Sequence, residues 1–227
     1  MAKKNIKAKA GLKWKKKKWY SIEAPSSFGG KVIAETLSED SSIIKGRILH
    51  ANMMQLAGNI KKQNLVVGLK IEEIVNNVAK TIPIDFEMQT ASIRRLVRKA
   101  TSNIEESFCC ITKDEKKVRI KPIAITRNKV NSGVTKAVRR VMIPTIVREA
   151  KKLTFEELIV GLTSFEFQKE VKKKMDKAYP LKTFQIKYAG LERARKVKVV
   201  EETEEPETEE EENIEEISEE KEVVAEV

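Results

Sequence analysis

Hydrophobic positions change their period along this chain. Leu65, Val67, Leu69 and Ile71 alternate with their neighbours, the period-two signature of a strand with one buried face. Ile82, Ile84 and Phe86 alternate likewise, which puts Pro83 on the opposite face and marks an edge or a strand start, because proline brings no N–H to a ladder. Residues 31–37 and 43–49 are shorter β-prone runs separated by the polar turn Ser38-Glu39-Asp40-Ser41-Ser42. Further on, residues 104–111 and 118–126 read as a hairpin around Lys113-Asp114-Glu115-Lys116. Val118 and Ile120 share one phase and Ile123 and Ile125 the other, so a bulge is expected at Pro122.

Helical spacing appears between and after these strands. Ile93, Leu96, Val97 and Ala100 form one i, i+3, i+4, i+7 stripe, with Thr90 or Ser92 as a cap. Val134, Val138, Val141, Thr145 and Ile146 form a second, beginning after Asn131 or Ser132, with Pro144 expected to kink or interrupt it. Thr154-Phe155-Glu156-Glu157 and Thr163-Ser164-Phe165-Glu166 both have capping-box spacing. They predict a short helix through Leu162 and another from Ser164 to Ala178, stopped before Pro180. Phe184, Ile186 and Tyr188 then alternate as a closing strand. Strands first, helices next and a last strand is an α+β order rather than a βαβ repeat.

Charge divides the chain more sharply than hydropathy does. The 227 residues carry a net +11, with 35% charged, 41% hydrophobic and 5% aromatic residues. Residues 200–227 hold fifteen Glu against one basic residue, Lys221, a net −14 that leaves +25 on residues 1–199. Residues 1–18 are lysine-rich with almost no large aliphatic side chains, so they are expected to be a disordered basic arm, and 199–227 a disordered acidic tail. The folded body is expected from Trp19 to Lys198 as one α+β domain.

So basic a body attracts polyanions through its long-range field and counterion release, which makes nucleic acid the expected partner. A membrane is the alternative for such charge, but no run approaches the roughly 18 apolar residues of a spanning helix. Nor does an apolar segment follow the basic N-terminus as a signal peptide would require, so a cytoplasmic location is expected. Cys109 and Cys110 are adjacent and read as small core residues of a strand in a reducing compartment.

Enzyme chemistry finds no constellation here. His50 is the single histidine, which excludes a histidine pair for zinc, and a lone histidine in a strand reads as structural. Gly29-Gly30 is a turn signal without phosphate-loop spacing, and no carboxylate cluster suggests magnesium. No cofactor or metal is expected.

Three basic groups remain as candidate RNA contacts. The first is Lys13, Lys15, Lys16, Lys17 and Lys18 with Trp19: lysines for phosphate, and an aromatic that either stacks on bases or enters the core with Tyr20. The second is Arg94, Arg95, Arg98 and Lys99, opposite the apolar stripe of their helix, where Glu87 is the one acidic residue between Asp85 and Glu105. The third runs from Arg127 and Lys129 through Lys136, Arg139, Arg140 and Arg148 to Lys151 and Lys152. For each the alternatives are a solvated face or a phosphate-binding one. Distributed cations of this kind give affinity and register, while specificity must come from RNA shape.

Several short motifs then carry a resemblance. Lys18-Trp19-Tyr20-Ser21-Ile22-Glu23-Ala24-Pro25, with Phe28, resembles the opening of the archaeal and eukaryotic small-subunit ribosomal protein S-three-A family, also called the eukaryotic-type S-one family. Ala34-Glu35-Thr36-Leu37 and Ile44-Lys45-Gly46-Arg47 are similar to its next two segments. Ala178-Tyr179-Pro180-Leu181, followed by Phe184, Lys187 and Leu191, is similar to its closing strand, and residues 138–149 fit its Arg- and Met-rich helix. The matches run in order from residue 18 to about 198. His50, Asn52-Met53 and Gln55-Leu56 depart from the family's acidic pattern, and the acidic tail lies outside the resemblance.

The resemblance implies a β-barrel-like core flanked by helices, seated on the platform of the small ribosomal subunit near the 3′ end of its RNA. Small-subunit rRNA and neighbouring platform proteins would be the partners, with messenger RNA near the exit channel as a further one. The competing reading is a non-stoichiometric RNA chaperone or translation-associated factor, for which the same basic body would serve.

Overall fold

The computed structural model describes residues 17–177 and 179–192. The expected acidic tail, most of the basic arm, residues 193–198 of the expected body and Ala178 lie outside the described residues. The architecture is α+β, a β-sheet core flanked by helices.

Among the described residues nine strands build the sheet: β1 (Lys18–Glu23), β2 (Val32–Ser38), β3 (Ile48–Asn52), β4 (Leu65–Val75), β5 (Val78–Met88), β6 (Asn103–Glu105), β7 (Phe108–Ile111), β8 (Lys117–Thr126) and β9 (Leu181–Leu191). Five α-helices accompany them: α1 (Met53–Ala57), α2 (Thr90–Leu96), α3 (Ser132–Lys152), α4 (Phe155–Ser164) and α5 (Glu166–Met175). β5 is the hub. Along one edge it pairs antiparallel with β4, which carries β3 in turn. Its other edge is shared: Val78–Lys80 runs parallel to Ser21–Glu23 of β1, whereas Asp85–Glu87 pairs antiparallel with Tyr188–Gly190 of β9. β9 then pairs with β8, which holds β6 and β7 along its far edge.

Leu65, Val67, Leu69 and Ile71 are buried as their alternation predicts, at 0–2% exposure. In β5 the phase differs from the expectation. The register with β4 skips Ile84, so Thr81 and Pro83 face inward ahead of the bulge while Phe86 and Met88 do so after it. Ile82 and Ile84 are therefore only partly buried. Pro83 is neither at a strand start nor on an outer strand. It falls in the stretch of β5 between the β1 and β9 pairings, a local edge where a missing N–H costs no ladder bond. The bulge expected at Pro122 is present as a register shift against β9 between Lys121 and Pro122. The same shift skips Lys187, which turns Tyr188 out of phase with Phe184 and Ile186 and leaves it half-buried. Between β6 and β7, Glu106 and Ser107 interrupt the strand expected over 104–111.

The run read as a strand at 43–49 starts late. Ser41–Ile43 is a 3-10 turn that drops Ile44 into the small core of Tyr20, Ile22, Ile71 and Ala79, and Gly46 follows at φ 84°. That left-handed residue ends any extended run, and pairing resumes at Ile48. The adjoining helix α1 is too short for its spacing to mark it in the sequence; Asn52 caps it by accepting from the Met54 N–H.

Helices α3, α4 and α5 close the main core. Val138, Met142, Ile146, Val147 and Ala150 of α3 are buried with Phe155, Leu158 and Leu162 of α4 and Phe167, Val171 and Met175 of α5. Pro144 does not interrupt α3, which runs unbroken for 21 residues. Pro144 is exposed, so water can take up the carbonyl it leaves without a partner. The helix expected over the Ile93–Ala100 stripe is much shorter: α2 ends at Leu96, Val97 is extended and Gln89, rather than Thr90 or Ser92, stands at its N-cap without a side-chain bond. Seven residues suffice because Ile93 is the one residue of α2 that is buried. Thr154 and Glu157 form the complete capping box of α4. Thr163 does not repeat it for α5. It is buried inside α4 and donates to the Val160 carbonyl, while Phe165, at φ 63°, separates the two helices, and α5 stops at Met175.

Cys109 and Cys110 are free thiols buried in β7. Burial raises the Cys109 thiol and pushes Cys110 up to about 12, so both remain protonated core residues at neutral pH. Thr154→Ala should lower unfolding stability by about 1 kcal/mol, as cap loss does, read from urea unfolding with the m-value unchanged.

Candidate nucleic-acid interface

Every described residue among the candidate contacts is exposed: Lys17, Lys18, Trp19, Arg94, Arg95, Arg98, Lys99, Arg127, Lys129, Lys136, Arg139, Arg140, Arg148, Lys151 and Lys152. Lys13, Lys15 and Lys16 lie outside the described residues. The structure does not keep the three groups as the linear sequence divides them.

The second group and the start of the third converge. Ser102 and Thr126 are the hinge between them. The Ser102 N–H donates to Thr126 Oγ1 at 3.0 Å, the Thr126 N–H donates to the Ser102 carbonyl at 3.1 Å, and the Val130 N–H donates to Ser102 Oγ at 3.0 Å. Thr126 is fully buried and its hydroxyl also donates to the Asn128 carbonyl at 2.6 Å. These bonds hold the loop bearing Arg127 and Lys129 beside the turn bearing Arg98 and Lys99, which is itself closed by the Thr101 N–H on the Arg98 carbonyl. Helix α3 starts immediately afterwards, so Lys136, Arg139 and Arg140 extend the same surface. Arg139 is anchored there by Glu106 at 2.6 Å, and the Arg95 Nε–H donates back to the Ala91 carbonyl at 3.2 Å. Fixed guanidinium groups on a rigid edge suit the bidentate grip that arginine makes on phosphate.

Arg148, Lys151 and Lys152 sit apart from this surface. They lie 8 to 12 residues beyond Arg140 on α3, roughly 12–18 Å at the rise of an α-helix. There they meet α5. Glu149, 8% exposed, accepts from Lys152 at 3.1 Å and also pairs with Lys174 of α5. Burial alone would raise the Glu149 carboxyl, but the hydrogen bonds from Lys174 and Lys152 outweigh it and hold the carboxyl below its ordinary range. Lys152 is therefore in part a structural residue. The exposed Lys169, Lys173 and Lys174 of α5 and Lys182 of β9 are basic positions not singled out from the sequence, although the run Lys172-Lys173-Lys174 was a visible signal.

Lys17, Lys18 and Trp19 form a third location, where β1 joins the end of β5 opposite to β9. Tyr20 enters the core at 5% exposure and Trp19 stays 64% exposed, because adjacent strand residues point to opposite faces. The core reading thus holds for Tyr20 and not for Trp19, which stays in solvent. His50 lies exposed on β3 with its Nδ1 4.0 Å from Asp85 Oδ1. Among the described residues no group of three or more His, Cys, Asp or Glu is placed to hold a metal, and no helix is long and apolar enough to cross a membrane.

The Glu149 bridge makes a pH prediction. Its folded-state carboxyl is lowered, so its contribution to stability is present above the ordinary carboxylate range and is lost as pH falls through the folded-state value. Glu149→Gln should cost about 1–2 kcal/mol at pH 7, and the gap to wild type should close under acid conditions in paired denaturation curves.

Comparison with known proteins gives a consistent outcome. The model of the Ribosomal S3Ae family matches residues 5–202. "Small ribosomal subunit protein eS1" of Desulfurococcus amylolyticus is 32% identical over 174 residues, 77% of this chain and 82% of that protein. The protein of the same name from Haloarcula marismortui is 31% identical over 188 residues, 82% of this chain and 88% of its own length. That of Methanobrevibacter smithii is 31% identical over 186 residues, 82% and 96% respectively.

Proposed function

The chain belongs to the ribosomal S3Ae family, and from that premise we propose that it is a structural protein of the small ribosomal subunit that binds small-subunit rRNA and performs no catalysis. The observation that carries the RNA contact is the surface organised by Ser102 and Thr126. Arginines and lysines from the turn after α2, from the loop after β8 and from the first half of α3 lie along one edge, whose loops are joined by partly buried hydrogen bonds. A solvated face would need no such scaffold. A phosphate-binding face does, since cations held in a fixed register recognise the spacing of a folded RNA backbone.

The finer reading follows the resemblance: a seat on the platform, near the rRNA 3′ end and the messenger RNA exit, with neighbouring platform proteins as partners. There the lysine-rich arm and the exposed Trp19 would reach separate RNA segments from the main surface. The chain would assemble with the subunit in the cytoplasm.

Sucrose-gradient sedimentation of the tagged full chain tests this. Near one copy per small-subunit RNA, retained at moderate salt, is the expected result; trace occupancy that washes off would replace it with the chaperone reading. Arg98→Glu combined with Arg127→Glu should deplete the chain from the small-subunit peak while leaving its unfolding midpoint within experimental error. In solution, neutralising either residue should lower the slope of log affinity against log salt by about 1.

A further inference from the structure

The edge joined by Ser102 and Thr126 is unbalanced in charge. Arg98 and Lys99 in the turn after α2, Arg127 and Lys129 after β8, and Lys136, Arg139 and Arg140 of α3 are all exposed along it. No acidic residue occurs in residues 88–104 or 127–148. Glu106 meets the edge at Arg139, in an ion pair of 2.6 Å. Other basic groups stand among carboxylates: Lys113, Lys116 and Lys117 with Asp114, Glu115 and Glu192, and Lys152 and Lys174 with Glu149. A polyanion that can choose between them is drawn to the edge.

The chain carries such a polyanion in its own last segment. Residues 201–227 hold fifteen Glu against Lys221, with an unbroken run from Glu209 to Glu212. The fold fixes the point from which that segment sets out. The Glu192 N–H donates to the Lys117 carbonyl at 2.9 Å, so the chain leaves the described residues beside the first residue of β8, whereas Arg127 follows the last. The 10 residues of β8 put these two points roughly 30 Å apart at the rise of a strand. The chain from Glu192 to Glu209 can span at most about 60 Å, so the glutamate run reaches the edge with length to spare. Held on one chain, the two meet at an effective concentration on the order of millimolar. Carboxylates accept the two-bond grip of arginine as phosphates do. The loops of the edge are already joined by Ser102 and Thr126, so docking adds little ordering cost on that side.

We propose that the glutamate-rich segment 201–222 docks on the Ser102–Thr126 edge of the free chain and is displaced from it by RNA. It is an intramolecular competitor. Polyanions that bind through charge alone are held off, whereas a folded RNA that matches the fixed spacing of the cations takes the edge. The inference rests on the reading of this edge as the RNA surface and adds its regulation. An edge open one-tenth of the time binds RNA about tenfold more weakly than one that is always open.

The test uses the full chain, wild type and a variant combining Glu209→Gln, Glu210→Gln, Glu211→Gln, Glu212→Gln, Glu215→Gln and Glu216→Gln, and measures binding of a short RNA duplex at low and at high salt. At low salt the variant should bind at least about threefold more tightly than wild type, and the gap should close as salt screens the docked charges. A water-soluble carbodiimide, which joins carboxylates to amines in contact, should link residues 201–222 of the wild type to Lys99, Lys129 or Lys136, and the RNA duplex should suppress those links. Equal affinities at low salt overturn the proposal. So do links that run to residues 1–18, to Lys151 and Lys152, or to a second chain in place of the edge. Arg98→Glu combined with Arg127→Glu separates this inference from the reading beneath it. If that pair weakens RNA binding while the Gln substitutions change nothing, the RNA surface stands and the acidic segment has no place on it. If the pair leaves RNA affinity unchanged, the RNA surface falls and this inference falls with it.

Discussion

The structure depends on how β5 divides its second edge. One strand cannot pair along its full length with both β1 and β9, because each brings its own neighbours and its own direction. β1 takes Val78–Lys80 in parallel and β9 takes Asp85–Glu87 antiparallel. Between them the backbone of β5 must do without a second ladder, and the residues there suit that condition. Thr81 sends its hydroxyl to the Glu23 carbonyl at 2.7 Å, and Pro83 has no donor to lose. The division splits the interior into two cores. A small one, around Tyr20, Ile22, Ile44, Ile71 and Ala79, lies at the β1 end, and a large one lies under α3, α4 and α5.

The distribution of basic surface follows from that division. The arm-proximal lysines and Trp19 leave the fold at the β1 end, while α2, the loop after β8 and the start of α3 gather at the end where β6 pairs with β8. Like charges on adjoining segments repel, so a concentrated cationic edge forms only where neutral bonds hold the backbone, as Ser102 and Thr126 do, or where a carboxylate intervenes. Glu106 and Glu149 are such carboxylates. Each holds a cation of α3, and Glu149 also ties α3 to α5, so part of the positive surface is built into the tertiary structure. Gln168 is the opposite case, a polar side chain that the fold buries without a hydrogen-bond partner.

What the sequence determined alone was whatever depends on local spacing and on total charge. The alternation from Leu65 to Ile71, the capping box at Thr154 and the proline-linked bulge at Pro122 are properties of a few neighbouring residues, and each is found where its pattern placed it; the α3 stripe was placed only in part, since Val138 and Ile146 are buried but Met142, Val147 and Ala150 take the inner face instead of Val134, Val141 and Thr145. The charge of the body and the ordered motifs from Trp19 to Leu191 pointed to the family for the same reason: neither requires knowing which strands meet.

Tertiary structure decided the rest, because pairing partners set phase, length and neighbourhood. The register of β5 against β4 reversed the faces of Ile82 and Pro83, and the shift in β9 turned Tyr188 out. Burial of Ile93 alone let α2 stop at Leu96, and the seating of Ile44 shortened the strand after it. In the interface, side-chain patterns marked the basic residues, but only the meeting of Ser102 with Thr126 shows that Arg98 and Arg127, 29 positions apart, share one edge. Gln168 is the clearest case. On a helix it reads as one more polar residue, and only the packing of α5 against β9 shows that it is buried.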